Sequence, residues 1–492
     1  MASYKSIAKS SGLIAFVQVA QMFFSLLRNK VMSVLLGSAA FGLYSIYNTF
    51  IEMGSVLAVF GLNTSVVREL SRCKEDKQAI GKVYYISNRL ISIFGLIVFI
   101  VGMIFAKEIG LYMFNEDGHE TGIRCVLFIV LFSVAAKQGY AILNGIRNLR
   151  KLAVSQIVSS CIGSIGVVLG ILLWKEDAIP LAMGVIYVTM ATVTYYYVRR
   201  AGVREVRSSL VEFKKTSRTL LYIGAGVTIA GIISTVMTFM SKSFLTDHYS
   251  MSAVGFYQSS WTISNLYTGI ILTAMGVDFM PRLSSIINDK KKATELINQQ
   301  ILFGIVLSSI AISGILLFSK ELLYILYDKE FEVASSILRW QILGVFLRTI
   351  AFPFSYTILA KGEAKFYALA QIVFWVGDFL LLMLCSWIWG FDGLGVNYPI
   401  AYLGYLTMTC LAARRICRFS FSKELIRVFV ILIAFIGVAW MFSSLGVENL
   451  GLKYGISIVF LLIHFCFVKN YLKVKMDLDI WQLLKNKMGR KK

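Results

Sequence analysis

Fourteen long apolar runs divide this chain, and no other feature limits its fold so severely. They lie near residues 11–36, 40–66, 84–106, 124–144, 153–174, 180–198, 219–243, 254–280, 297–318, 336–359, 367–389, 395–413, 424–444 and 452–469. A helix needs roughly 20 apolar residues to cross the hydrocarbon core of a bilayer. In that medium each backbone N–H and C=O must find its partner within the segment. The runs therefore predict an all-α polytopic membrane protein with about fourteen transmembrane helices. Composition agrees, since 57% of the 492 residues are hydrophobic and only 15% are charged, against about 25% charged in soluble domains. A disordered chain, a secreted disulfide scaffold and a soluble enzyme with one anchor are excluded. The seven cysteines are scattered without metal-ligand spacing, and most read as small apolar helix residues. The first run carries Arg28 and Lys30 and lacks a small-residue cleavage pattern, so it is expected to stay as the first span rather than be removed as a signal peptide.

The loops test the count, because a missed or invented helix would invert every later loop. Even-numbered connections and both termini hold 35 Lys/Arg, whereas the opposite set holds five: Lys107, Lys175, Lys320, Lys329 and Lys453. The second set is also acidic, as in Glu116-Asp117-Gly118-His119-Glu120 and Asp328-Lys329-Glu330-Phe331-Glu332. Basic loops stay in the cytoplasm, so both termini are expected there. The net charge of +22 is then topology, with no nucleic-acid partner implied.

The longest hydrophilic connection, about 199–218, falls between the sixth and seventh spans, where a linker between six-helix halves would lie. A weak internal repeat supports that division. Ala40-Phe41-Gly42-Leu43-Tyr44 matches Ala253-Val254-Gly255-Phe256-Tyr257 at an offset of 213, and Gln156-Ile157-Val158 matches Gln371-Ile372-Val373 at 215. Matched spans share sidedness, which predicts parallel, pseudo-symmetric lobes around a central cavity. The expected division is 1–205 for the first lobe, 206–418 for the second, and 419–492 for two additional helices with a basic tail. That tail, with Ile480, Trp481, Leu484 and Met488 among basic residues, either lies on anionic membrane lipids or is solvated.

A charge at mid-bilayer costs about 2.5–3.5 kcal/mol on insertion scales, so the few ionisable residues within spans should face a cavity or a partner. Those well inside the spans are Arg28, Lys30, Glu52, Lys137, Arg348 and Asp378. Helical spacing groups Gln18, Gln21, Ser25 and Arg28 within about 80° on one face of the first span. Similar stripes hold Tyr44, Asn48, Glu52 and Ser55 in the second span and Ser133, Lys137, Tyr140 and Asn144 in the fourth. Gln258, Thr262 and Asn265 repeat the pattern in the eighth. Each polar residue is either interhelical hydrogen-bond glue or part of a cavity wall, with Glu52 pairing to Arg28 or Lys137 in the first case. Arginine is the stronger functional candidate, because it recognises phosphate in bidentate fashion. Lys30 is expected to snorkel or pair locally, and Asp378 is either structural or a coupling-ion site. Pro353 and Gly224-Ala225-Gly226 are plausible bends.

No HExxH, GxSxG or Walker loop occurs, and His119, His248 and His464 lie far apart. The sequence therefore points away from an enzyme, no cofactor is expected, and an ion gradient or the substrate's own gradient must drive any transport. The run Leu35-Leu36-Gly37-Ser38-Ala39-Ala40-Phe41-Gly42-Leu43-Tyr44, followed by Gly61-Leu62-Asn63-Thr64-Ser65-Val66-Val67-Arg68-Glu69-Leu70-Ser71, resembles the start of bacterial O-antigen and polysaccharide flippases of the multidrug/oligosaccharidyl-lipid/polysaccharide exporter superfamily.

The resemblance implies two six-helix lobes that alternate between inward-open and outward-open states. Its cargo would be an undecaprenyl-pyrophosphate-linked glycan, an O-antigen, capsule or exopolysaccharide unit crossing the inner membrane. Basic residues would hold the pyrophosphate, with Arg28 at the place where related flippases carry cavity arginines. The two additional helices resemble those of lipid II flippases. H+ or Na+ as coupling ion and a polysaccharide polymerase as partner are further implications. The alternatives are an ion-coupled multidrug exporter, which Glu52 would suit, and a membrane-embedded glycan polymerase or acyltransferase. The latter would need a large outer loop or a catalytic His/Arg group, and the longest outer loops here span only about 17 residues.

Overall fold

A computed structural model describes residues 2–73, 76–114, 118–175, 179–445 and 449–476. Helices are the regular structure found among them, and each of the fourteen expected spans is a helix or a helical limb. The basic tail beyond 476 and the acidic pair Glu116-Asp117 lie outside the described residues.

The first two spans are one helix, α1 (Ala2–Val59), turned back at a single residue. Gly37 adopts φ 79° and ψ −173°, a conformation open to glycine because it lacks Cβ. One residue thus does what the gap between the runs at 11–36 and 40–66 suggested a short loop would do. The second limb is shorter than the apolar run predicts. Phe60 and Gly61 both take left-handed φ values and end the helix at Val59, so Leu62–Arg72 forms a separate helix, α2.

Spans three to six follow as α3 (Lys77–Ile104), α5 (Glu120–Gly145), α6 (Leu149–Trp174) and α7 (Ile179–Arg200), with the short α4 (Ala106–Phe114) between the first two. Asp76 and Asn148 cap α3 and α6 by accepting from backbone N–H groups of the first turn, the usual device for otherwise unpaired donors. The second lobe comprises α8 (Leu210–His248), α9 (Met251–Ile286), α10 (Lys290–Leu317), α12 (Ser335–Ala360), α13 (Ala364–Trp389) and α14 (Gly393–Cys417). A short α11 (Ser319–Leu326) and a 3-10 turn, Lys329–Ala334, sit between α10 and α12. Helix α8 is continuous through Gly224. This residue lets α8 approach the α1–α2 corner, where a Cβ on Gly61 would lie 2.4 Å from its carbonyl oxygen.

The two halves meet where their repeats match. A Cβ on Gly42 would fall 2.1 Å from the Met251 carbonyl oxygen, and one on Gly255 2.3 Å from that of Ser38. Ser45 donates to Gln258 at 3.0 Å. Ser45 and Gln258 are 213 residues apart, the repeat offset, and the two glycine contacts exchange under the same offset, which relates Ser38 to Met251 and Gly42 to Gly255. Equivalent residues can face each other only across a twofold axis, so the lobes are parallel copies related by an axis between the second limb of α1 and α9.

Helices α15 (Lys423–Ser444) and α16 (Leu450–Met476) pack on α10, outside the repeat. Asn298 of α10 holds their entry, accepting from the Ser422 N–H at 2.9 Å and donating to the Ser420 carbonyl at 2.9 Å. At mid-helix, His464 contacts Ser309 at 3.1 Å and stacks on Phe435.

Candidate functional site

The kink at Gly37 folds the two limbs of α1 against each other, so the polar stripe of one limb meets that of the other. Arg28, on the first limb, lies over the ring of Tyr44 on the second, 5.4 Å from its centroid, an attraction between cation and π face. Its Nη2 donates to Ser25 Oγ at 3.1 Å. Its Nε is buried without a hydrogen-bond partner. Gln18 and Gln21 are half-buried on the same limb.

The second-limb stripe continues with Asn48, which accepts from Tyr187 of α7 at 3.1 Å, and with Glu52. Of the two pairings open to Glu52, the structure makes the one with Lys137, at 2.7 Å. Tyr187 is buried within electrostatic reach of Glu52, Tyr44 and Arg28, so these residues form one cluster in the first lobe. Tyr140 and Asn144 lie apart from it: the Tyr140 hydroxyl is buried near Thr194 and Ser159, and Asn144 is exposed at the basic end of α5.

The second lobe repeats the arrangement with a different partner. Arg348 of α12 donates to Asn265 of α9, and Asn265 stands at the repeat position of Glu52, 213 residues on. The carboxylate–ammonium pair of the first lobe is thus an amide–guanidinium pair in the second. Arg348 borders a cavity of about 340 Å³ walled by Tyr356, Trp375 and Tyr402. At its floor Gln371 donates to Tyr405 at 3.0 Å, and Tyr405 shares a hydrogen bond with Ser355 at 2.9 Å. Aromatic faces beside a few fixed polar groups are the lining of a small-molecule site. Gln258, besides accepting from Ser45, donates to Thr262 at 3.2 Å.

Between the lobes lies a residue the stripes do not mark. Lys242 of α8 is buried, with Nζ 2.7 Å from Ser45 Oγ and 2.6 Å from Thr49 Oγ1. It falls at the end of an apolar run, where lysine ordinarily reaches for the interface, so nothing in the local pattern distinguishes it. Its repeat mate, the buried Asn29, is the one signal that points to it.

The lobes also close on each other at the face away from the basic loops. Phe41 packs edge-on against Tyr327 and Phe331, with centroids 5.2 and 5.8 Å away. Ser38 donates to Glu330 at 3.2 Å, and Ser243 to the Tyr112 carbonyl at 2.8 Å. Lys30 pairs across the lobes rather than locally, donating to the Tyr324 carbonyl at 2.9 Å. Two parallel lobes, polar stripes turned inward and a cation in each lobe define a polytopic protein of the two-lobed transporter fold.

The polysaccharide biosynthesis protein family matches residues 7–287, more than half of the chain, and the chain belongs to that family. It is 23% identical over 421 residues to the lipid III flippase of Escherichia coli (strain K12), covering 82% of this chain and 97% of that one. To a putative O-antigen transporter of Shigella flexneri it is 26% identical over 379 residues, covering 74% and 87%. Among solved structures, the inward closed conformation of the lipid II flippase MurJ superposes with a TM-score of 0.72 at 15% identity, covering 94% of this chain and 99% of that one. An inward-facing multidrug resistance MATE transporter gives 0.69 at 16% identity, covering 82% and 97%. These two share the fold.

Proposed function

We propose that this protein is a flippase that carries a lipid-linked oligosaccharide across the bacterial inner membrane by alternating access, and that the lipid is an undecaprenyl pyrophosphate. The observation that carries this reading is Arg28: a guanidinium held over Tyr44, with a buried, unpartnered Nε, beside a carboxylate already matched by Lys137. A doubly charged pyrophosphate in a low-dielectric cavity needs fixed cations with unspent donors, and Arg28 supplies them. The relatives named as lipid III flippase and O-antigen transporter support the same cargo class. The multidrug reading loses its main residue, since Glu52 is engaged by Lys137.

In this reading residues 1–205 and 206–418 are the moving lobes, the basic loops and both termini are cytoplasmic, and the chain performs no bond chemistry. An H+ or Na+ gradient drives the cycle, and a polysaccharide polymerase consumes the product on the outer side.

The test is a deletion strain complemented with wild type or Arg28→Ala. We expect the deletion strain and the variant to accumulate a complete undecaprenyl-pyrophosphate-linked repeat unit by mass spectrometry and to lose surface polymer, with the variant protein present at wild-type level. Normal polymer from Arg28→Ala would remove the residue from the site. An unchanged lipid pool in the deletion strain would remove the function.

A further inference from the structure

Two buried ionisable groups of the second lobe have no part in the pyrophosphate site. Lys242, on α8 of the second lobe, is 5% exposed. All three of its acceptors are neutral oxygens on the second limb of α1, in the first lobe: Ser45 Oγ, Thr49 Oγ1 and, at 3.2 Å, the Ser45 carbonyl. Asp378, on α13, is 6% exposed and accepts from Asn397 at 2.8 Å. Both border one enclosed pocket of about 30 Å³, together with Gln258, Trp261 and Trp375.

An ammonium facing neutral acceptors and a carboxylate facing one amide are each costly to keep from water. Their mutual attraction grows as the surrounding dielectric falls. The pocket that both border has room for a water molecule, and a lysine stem is flexible enough to move its ammonium within it. Helices α8 and α13 pack together in one lobe, whereas Ser45 and Thr49 belong to the other. A movement that parts the lobes here therefore withdraws Ser45 and Thr49 from Lys242 but leaves Asp378 beside it.

We infer that Lys242 sets the balance between the two lobe arrangements, its ammonium held by Ser45 and Thr49 while this face is closed and passed to Asp378 when the lobes part. The inference rests on the alternating-access reading above. It makes the chain's own ammonium the counter-ion of Asp378, so the change of state requires no sodium.

The test uses the full chain in nanodiscs, with the seven native cysteines replaced by serine and Ser38→Cys as reporter. Ser38 is 5% exposed beneath Glu330, so its labelling by a charged maleimide reports opening of that face. Thr49→Val weakens the closed arrangement and should raise the labelling rate about tenfold, the scale of one hydrogen bond to a charged group. Asp378→Asn weakens the open arrangement and should lower it by a similar factor. In a Lys242→Met background Asp378→Asn should have no further effect. Equal effects of Asp378→Asn with and without Lys242, shifts of the same sign for Thr49→Val and Asp378→Asn, or no shift for either would overturn the inference. So would a wild-type rate that falls when choline replaces sodium. No cargo is present in this assay, so its outcome is independent of which lipid is carried.

Discussion

At Gly42 the two lobes touch through backbone alone. A methyl group there would meet the Met251 carbonyl oxygen at 2.1 Å, and a carbonyl within a helix cannot rotate away. Gly42→Ala must push α9 from α1, and overpacking of a rigid contact costs about 1–3 kcal/mol. We expect a lower thermal unfolding midpoint for the detergent-solubilised variant. Gly377→Ala, with open space around its Cβ, should leave the midpoint unchanged or slightly raised; equal midpoints for the two would contradict the close crossing. The sequence made this residue legible through the repeat, because Gly42 and Gly255 were matched before anything placed them face to face. It left Glu52 with two possible partners, since helical periodicity orders residues on one helix and says nothing about which neighbouring helix they meet.

Among the elements, the short helices were the least legible. Helices α4 and α11 have nine and eight residues, and charges interrupt their apolar pattern, so they read as loop. Yet α11 clasps α16 to the bundle. Lys453 reaches Glu321 at 2.8 Å, and Tyr454 donates to the same oxygen at 3.1 Å. Burial, the largest single influence on Glu321, acts to raise its pKa; the hydrogen bonds and charge of Lys453, with Tyr454, outweigh it and hold the carboxyl below its ordinary value. A depressed carboxylate contributes stability above its unfolded pKa and loses it as pH falls through the folded one. The clasp should therefore be intact at neutral pH and fail below the usual glutamate range, near pH 4. Thermal unfolding of wild type should lose more between pH 6 and pH 3.5 than that of Glu321→Gln, which has no charge there to lose. Parallel losses in the two proteins would show that the clasp contributes nothing.

For the whole molecule, span number and charge alternation were readable because the bilayer imposes both, the first through backbone hydrogen bonding and the second through the cost of moving lysine and arginine across. That the break between the first two runs is a single residue, Gly37, was not readable, and neither was the cavity beside Arg348, whose aromatic wall comes from separate helices of unremarkable composition. The helical order now adds a constraint on sidedness. Fourteen helices or helical limbs join the two termini; if each crosses the bilayer once the termini share a side, and the 35-to-5 distribution of Lys and Arg would make that side the cytoplasm. Reporters fused after residues 76 and 210 should therefore be active only as cytoplasmic fusions, and those after 117 and 330 only as external ones. The fusion after 330 is the most demanding, because it follows the long α8 and α9 and interrupts the segment that meets Ser38. If it were cytoplasmic while the fusion after 210 remained so, α8, α9 and α10 could not each cross the bilayer once. The twofold relation between Gly42 and Gly255 would then require a different insertion from the one the charges dictate.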